Sequence, residues 1–281
     1  MRLNMGQEVN QELKQLQEQL ADVLEQMIAV CKRHNIDYYM AWGSCLGAVR
    51  HNNFIPWDDD IDVYIPYSQL DKFKEYCLKE LPKDYFYQDM ETDPNYFLVY
   101  PKVRKTSTTS MNKKDSDIPM NWGIGIDIFP LFDAQLPEKT EKIQKRVTLL
   151  RRMGYLPYYA IKKEGIYQKV MAVFYGIAGR KRKNRWCKKL LDSFQTTGDY
   201  YMDMEGDKVM FHPKEWFTPG CEKPFGSLTV KVMNGYDGYL TNVYGSDYMV
   251  VPKKGSAAYY SHDGVIIDCE KSYKNYLTQK E

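Results

Sequence analysis

The chain has 281 residues, 43% of them hydrophobic, enough to bury a sizeable core in one large domain or two small ones. No apolar run reaches the roughly eighteen residues of a spanning helix, and the first residues are rich in Gln, Glu and Leu, so neither a membrane span nor a secretory leader is expected. The net charge is only +2, but residues 141–190 hold fifteen Lys or Arg against two Glu, a local +13 that leaves −11 for the remainder.

The cysteines Cys31, Cys45, Cys77, Cys187, Cys221 and Cys269 form no Cys-x-x-Cys pair, and the four histidines do not cluster. That pattern fits reduced thiols in a cytoplasmic protein and excludes a disulfide framework or a zinc site.

In chain order, residues 11–34 carry Leu13, Leu16, Leu20, Leu24, Met27, Ile28 and Cys31 at three- and four-residue intervals, which predicts an amphipathic helix facing a core. Residues 36–42 read as a strand, broken by Gly43 and Ser44, and 44–50 as a short helix. Residues 60–65 are the next strand, ended by Pro66, and Ser68 caps a helix to Leu81. Residues 97–104 and 125–129 are further strands. From Pro137 to Arg152 the pattern is helical and basic, with a break over 154–159. Residues 165–191 join an apolar stretch, 170–178, to a basic cluster, 180–189. Residues 228–233 read as a strand, and a helix is capped near Asn234. One α/β (α+β) core with a basic helical insertion accounts for this order.

The chemistry concentrates in residues 41–65. Runs of acids are usually solvated, but Asp58, Asp59 and Asp60 lead straight into the apolar run Ile61, Val63, Tyr64 and Ile65. On a strand Asp60 and Asp62 share a face about 7 Å apart, and like charges there call for a cation between them. Carboxylate oxygens favour Mg2+ or Mn2+ over zinc. The small residues Gly43 and Ser44 at a helix start would let backbone N–H groups approach phosphate oxygens.

Residues 43–51, 54–62 and 125–131, supported by 102–104 and 239–249, together resemble the LicD family, which includes bacterial phosphocholine transferases and is related to the fukutin-related ribitol-phosphate transferases. The resemblance touches most of the chain except the basic middle. It implies a nucleotidyltransferase-like core sheet with flanking helices in a single LicD-like domain. That domain would comprise an N-terminal helix and catalytic core (1–135), the basic insertion (136–204) and the rest of the core (205–281). It also implies metal-dependent transfer of phosphocholine or a polyol phosphate from a CDP-linked donor to a hydroxyl of a cell-surface glycan or its lipid-linked precursor, with CMP leaving. Nucleotidyl transfer releasing pyrophosphate, or metal-dependent glycosyl transfer, would use similar residues.

On this resemblance Asp60, Asp62 and Asp127 form the catalytic metal cluster. Asp127 sits in its own short strand, and its plain alternative is a lone buried Asp paired with an Arg. Gly43, Ser44, Arg50 and Lys102 or Arg104 hold donor phosphates. Asp62 or Asp127 takes the proton of the attacking hydroxyl. Asp58 and Asp59 hold water or cap the turn, His51 is structural or orients phosphate, and His262 serves a headgroup or acceptor. Residues 170–189 are expected to lie on an anionic membrane surface, at its inner face. A solvated helix face is the plain alternative, and nucleic acid is not expected because no nucleic-acid fold signature accompanies the cluster.

Overall fold

The structure, a computed structural model, describes residues 5–204, 209–252 and 264–278. It is a mixed α+β fold. The first helix, α1 (Met5–His34), buries the expected stripe: Leu16, Leu20, Leu24, Met27, Ile28 and Cys31 pack in one cluster with Val103, Ile124, Ile126 and Ile128 of the sheet. The predicted strand after it shrinks to β1 (Tyr39–Met40), because α2 (Trp42–His51) starts two residues earlier than Ser44. Then come β2 (Asp62–Pro66) and α3 (Tyr67–Glu80), whose start follows Pro66 with no side-chain cap from Ser68.

The sheet is completed by β3 (Tyr85–Gln88), β4 (Lys102–Lys105) and β6 (Ile124–Ala134), with β5 (Thr109–Asn112) between them in sequence. Strand order is β1-β2-β6-β4-β3, and the β2–β6 pair is parallel whereas the other pairs are antiparallel. The predicted strand at 97–104 survives only in its last residues. Residues 97–100 leave the sheet and become a cavity wall.

Three helices follow β6: α4 (Glu141–Gly154), α5 (Leu156–Lys162) and α6 (Gly165–Asp192). The expected break at 154–159 is a helix-to-helix junction, with Pro157 in the first turn of α5, where its missing N–H costs nothing. Gly179 (φ 72°, ψ 160°) interrupts α6 in a conformation open only to glycine, so 165–178 and 180–192 are separate helical runs. Val147, Leu150, Cys187 and Leu191 close a second core with Phe132 and Met202, anchoring α4 and the end of α6 on β6.

The remainder is β7 (Tyr200–Asp203) and β8 (Met210–Pro213), which extend the sheet from the far end of β6, and the hairpin β9 (Cys221–Phe225) with β10 (Leu228–Val232). Gly226 (φ 60°) and Ser227 make the two-residue hairpin turn. Next is α7 (Tyr236–Tyr244), capped at Gly235, and then β11 (Val265–Asp268), which pairs with β5. No helix of the described residues is long and apolar enough to cross a membrane.

Lys183 is buried in the second run of α6 at 1% exposure, and that burial pushes its amine down from 10.5 to about 8. Between these values the unfolded chain holds a proton that the folded chain lacks, so stability rises with pH through the window and the penalty is complete below it. Lys183→Met is expected to stabilise the fold by about 3 kcal/mol at neutral pH, with the gain fading to nothing above pH of about 10.5. Urea unfolding of both proteins across that range checks it; a gain independent of pH would mean simple repacking.

Candidate active site

Register builds the site. The parallel β2–β6 ladder sets Asp62 opposite Asp127, and the antiparallel β4–β6 ladder sets Lys102 on the other side of Asp127. Residues opposed across neighbouring strands share a face, about 5 Å apart, so acid, acid and base form one row. Lys102 Nζ closes an ion pair with Asp127 Oδ1, each side chain 17% exposed. The plain alternative for Asp127, a partnership with an Arg, is replaced by one with Lys102.

Helix α2 abuts this row. The Ser44 hydroxyl oxygen accepts the Asp62 N–H at 2.9 Å, which ties the first turn of α2 to the start of β2. The first intrahelical bond runs from Cys45 N–H to Ala41 O (2.9 Å), so the Gly43 and Ser44 N–H groups lie in the turn that precedes it. A Cβ at Gly43 would come 2.9 Å from Asp58 Oδ2, so glycine is what lets that carboxylate reach the turn.

Asp58, Asp59 and Asp60 bring one carboxylate oxygen each to within 4.8 Å of the others. Burial, then Asp60 and Asp59, push the Asp58 carboxyl up to about 7. Three crowded hard-oxygen donors, one resisting ionisation, fit a divalent cation of the Mg2+ or Mn2+ type. The acids expected as one cluster are therefore arranged in two neighbouring groups. Asp60 gathers with Asp58 and Asp59, while Asp62 stands with Asp127 and Lys102.

Two cavities meet at Asp60 and Asp62. The larger, about 710 Å³, is walled by Gly43, Arg50, Trp57, Asp58, Tyr244 and Tyr248 among others. The smaller, about 280 Å³, adds Asp127, Phe97, Tyr100, Phe129, Arg151 and Tyr155. Arg50 Nη1 donates to Tyr248 O at 2.7 Å and its Nε to His51 Nε2 at 3.0 Å. Burial and the Arg50 charge lower the His51 pKa, in keeping with a neutral, accepting imidazole.

Arg104 lies elsewhere. It is buried, with Nε donating to Gln88 Oε1 and Nη1 to Gly123 O (2.6 Å), and its stem lies against Gly125, where a Cβ would come 2.7 Å from Arg104 Cγ. Of the two basic residues expected to clamp phosphate from this strand, Lys102 faces the carboxylates and Arg104 braces the sheet. His262 lies outside the described residues.

Sequence reasoning did not pick out Arg151, Tyr155, Phe97, Tyr100 or Phe129 as site residues. Arg151 and Tyr155 come from the end of α4, inside the insertion, and Arg151 Nη2 donates to Met204 O at 2.6 Å. Nothing in their local sequence marks them, because only the packing of α4 on β6 brings them to the site.

Arg104→Leu leaves two buried acceptors without their donor and should cost about 3 kcal/mol in urea unfolding. Unchanged stability with weakened donor binding would return Arg104 to the binding residues.

Residues 35–148, which hold the whole cross-strand row and the α2 turn, match the family described as LicD/FKTN/FKRP, nucleotidyltransferase domain. The lipopolysaccharide cholinephosphotransferase LicD of Haemophilus influenzae is 28% identical over 239 residues, covering 82% of this chain and 89% of that protein. Residues 35–148 thus carry a LicD-type nucleotidyltransferase domain, and the chain is an enzyme of the phosphotransferase kind.

Proposed function

We propose that this chain transfers phosphocholine from a CDP-linked donor to a hydroxyl of lipopolysaccharide or of a lipid-linked glycan precursor, releasing CMP. The carrying observation is the row Asp62, Asp127 and Lys102, whose first member lies where two cavities meet, inside a LicD-family domain. The choice of phosphocholine and lipopolysaccharide follows the similar Haemophilus protein, whose name states both.

The walls support that choice. The smaller cavity sets the rings of Phe97, Tyr100, Phe129 and Tyr155 beside carboxylates, and aromatic faces with nearby negative charge attract a quaternary ammonium. The larger cavity, with Trp57 and Tyr244 for a base and Arg50 for phosphate, suits the nucleotide half of the donor. The two halves would then join at Asp60 and Asp62, where the diphosphate sits.

Asp58, Asp59 and Asp60, with Asp62 and Asp127 adjoining, would hold Mg2+ or Mn2+. That ion supplies charge neutralisation at the diphosphate. The chain's own residues supply the rest. The acceptor oxygen bonds to the phosphorus that carries choline while the bond from that phosphorus to the CMP oxygen breaks. Asp62 or Asp127 accepts the hydroxyl proton. Lys102 holds Asp127 in place and, with Arg50, offsets charge on the departing CMP. The Gly43 and Ser44 N–H groups present the positive end of α2 to the same region. The proposed setting is the cytoplasm, which the free state of all six cysteines supports.

Asp62→Asn and Asp127→Asn are each expected to lower kcat about a thousandfold with the melting temperature held, and chelation of divalent metal should do the same reversibly to the unmodified enzyme. The assay follows CMP from CDP-choline. Pyrophosphate release from CTP in its place would convert the reading to nucleotidyl transfer.

Tyr155→Ala should raise KM for CDP-choline about tenfold more than KM for CDP-glycerol. Equal effects on both donors would remove the aromatic headgroup site.

A further inference from the structure

We infer that α6 is a docking element for an anionic lipid bilayer. This goes beyond the transfer chemistry and stands whether or not that chemistry is as proposed.

Its first run leaves Ile166, Val170, Val173, Phe174 and Ile177 in solvent, with Ile166, Val173 and Ile177 at 84%, 64% and 76% exposure. At 3.6 residues per turn these side chains span an arc of only about 100°. Single exposed apolar residues are ordinary, but a contiguous stripe on one helix marks an interaction surface. The chain does bury apolar residues of this helix where it needs them. Cys187 and Leu191 of the second run sit in a core with Phe132, so the exposure of the first run is not a general looseness of the insertion.

The second run carries Arg180, Lys181, Arg182, Arg185, Lys188 and Lys189. The break at Gly179 turns it back, so that the Trp186 ring stacks on Phe174 with centroids 6.0 Å apart. Apolar stripe and basic run therefore adjoin, with Trp186 and the half-exposed Tyr167 beside them. Apolar side chains with flanking cations and interfacial aromatics are what a helix lying in the headgroup region of an anionic membrane presents.

Charge selects this occupant over the others. A second copy would bring another +13 segment against the first, and like charges oppose that contact. A polyanion such as nucleic acid would match the basic run and leave the apolar stripe unexplained. An anionic bilayer answers both.

The docking face also adjoins the site. Lys181, Asn184 and Lys188 wall a surface cleft of about 500 Å³. Asn184 and Lys188 also wall a cavity of about 100 Å³, which shares residues 98–100 with the carboxylate cavity. A glycan held on a lipid in that membrane would thus lie on the side of the molecule from which the carboxylates are reached.

The test is flotation of the full chain with vesicles of phosphatidylcholine, with and without about a third phosphatidylglycerol. Binding to the anionic vesicles should exceed binding to neutral ones at least about tenfold and weaken as salt is raised. The doubly substituted Val173→Asp, Ile177→Asp protein, altered only at exposed positions, should keep its melting temperature and lose at least about tenfold of that binding. The Lys181→Glu, Arg185→Glu protein should lose it to a similar degree. No binding by the unmodified chain, equal binding to both vesicle types, or unchanged binding by both variants would overturn the inference. So would a dimer in gel filtration that Val173→Asp, Ile177→Asp converts to monomer, since the stripe would then be covered by a second copy.

Discussion

The parallel pairing of β2 with β6 is the constraint on which the site depends. Side chains alternate along a strand, so a slip of one residue would turn Asp127 into the core and Ile126 or Ile128 toward the cavity. The register is held because the two faces of β6 differ. Ile124, Ile126 and Ile128 are fully buried in the core with α1, whereas Gly125 and Asp127 point the other way. On that second face Gly125 makes room for Arg104 and Asp127 meets Lys102, so β4 fits in one alignment only. The hydrophobic burial of one face thus fixes the electrostatics of the other.

A second constraint joins the late elements to the start of α2. The Trp42 N–H donates to Tyr239 OH (3.0 Å), Tyr239 to Tyr64 OH (3.3 Å), and Tyr64 to a carboxylate oxygen of Asp203, which also meets His212 Nε2 at 3.0 Å. All five residues are buried. Both bonds to Asp203 end on one oxygen, its Oδ1 being buried without a hydrogen-bond partner, so the chain of donors is fixed on a single acceptor atom. It secures Trp42 at φ 35°, a conformation rare for a bulky residue, while the Trp42 ring packs edge-on against Tyr64 and Phe129. The turn carrying Gly43 and Ser44 is therefore positioned by α7, β7 and β8, far away in sequence.

How much was legible in the sequence follows from the range of the interactions. The helix α1, the strand at Asp62, the strand at Asp127 and the strand at Leu228 were readable because each has its own apolar periodicity. The short strands β3, β5, β7, β8, β9 and β11 were not, since each has four or five residues and owes its form to a partner strand. Asp60, Asp62, Asp127 and Lys102 could be picked out by motif, yet the division of the acids into two groups could not, because it depends on how the loop before β2 folds over Gly43. Arg104 illustrates the limit from the other side. It shares the motif and the face of Lys102, and only burial over Gly125 separates a brace from a phosphate contact.

The uneven charge along the chain gains a physical reading from these placements. The negative remainder includes the five acids lining the two cavities, where burial first, and then repulsion from Asp60 and Asp59, raise the Asp58 carboxyl. Such crowding costs folding stability unless cations offset it. The chain supplies cations of its own at fixed points, Arg50 from α2, Lys102 from β4 and Arg151 from α4, the last from the first helix of the basic insertion. It does not bring the bulk of the insertion's charge there. Arg180 through Lys189 stay on the far run of α6, around a separate cleft. Had those cations folded over the acids, they would have neutralised the field that would favour a divalent ion. By keeping most positive charge on a surface helix, with Arg50, Lys102 and Arg151 beside the carboxylates, the fold leaves a negative pocket that would suit a cation and a positive face that would suit an anionic surface.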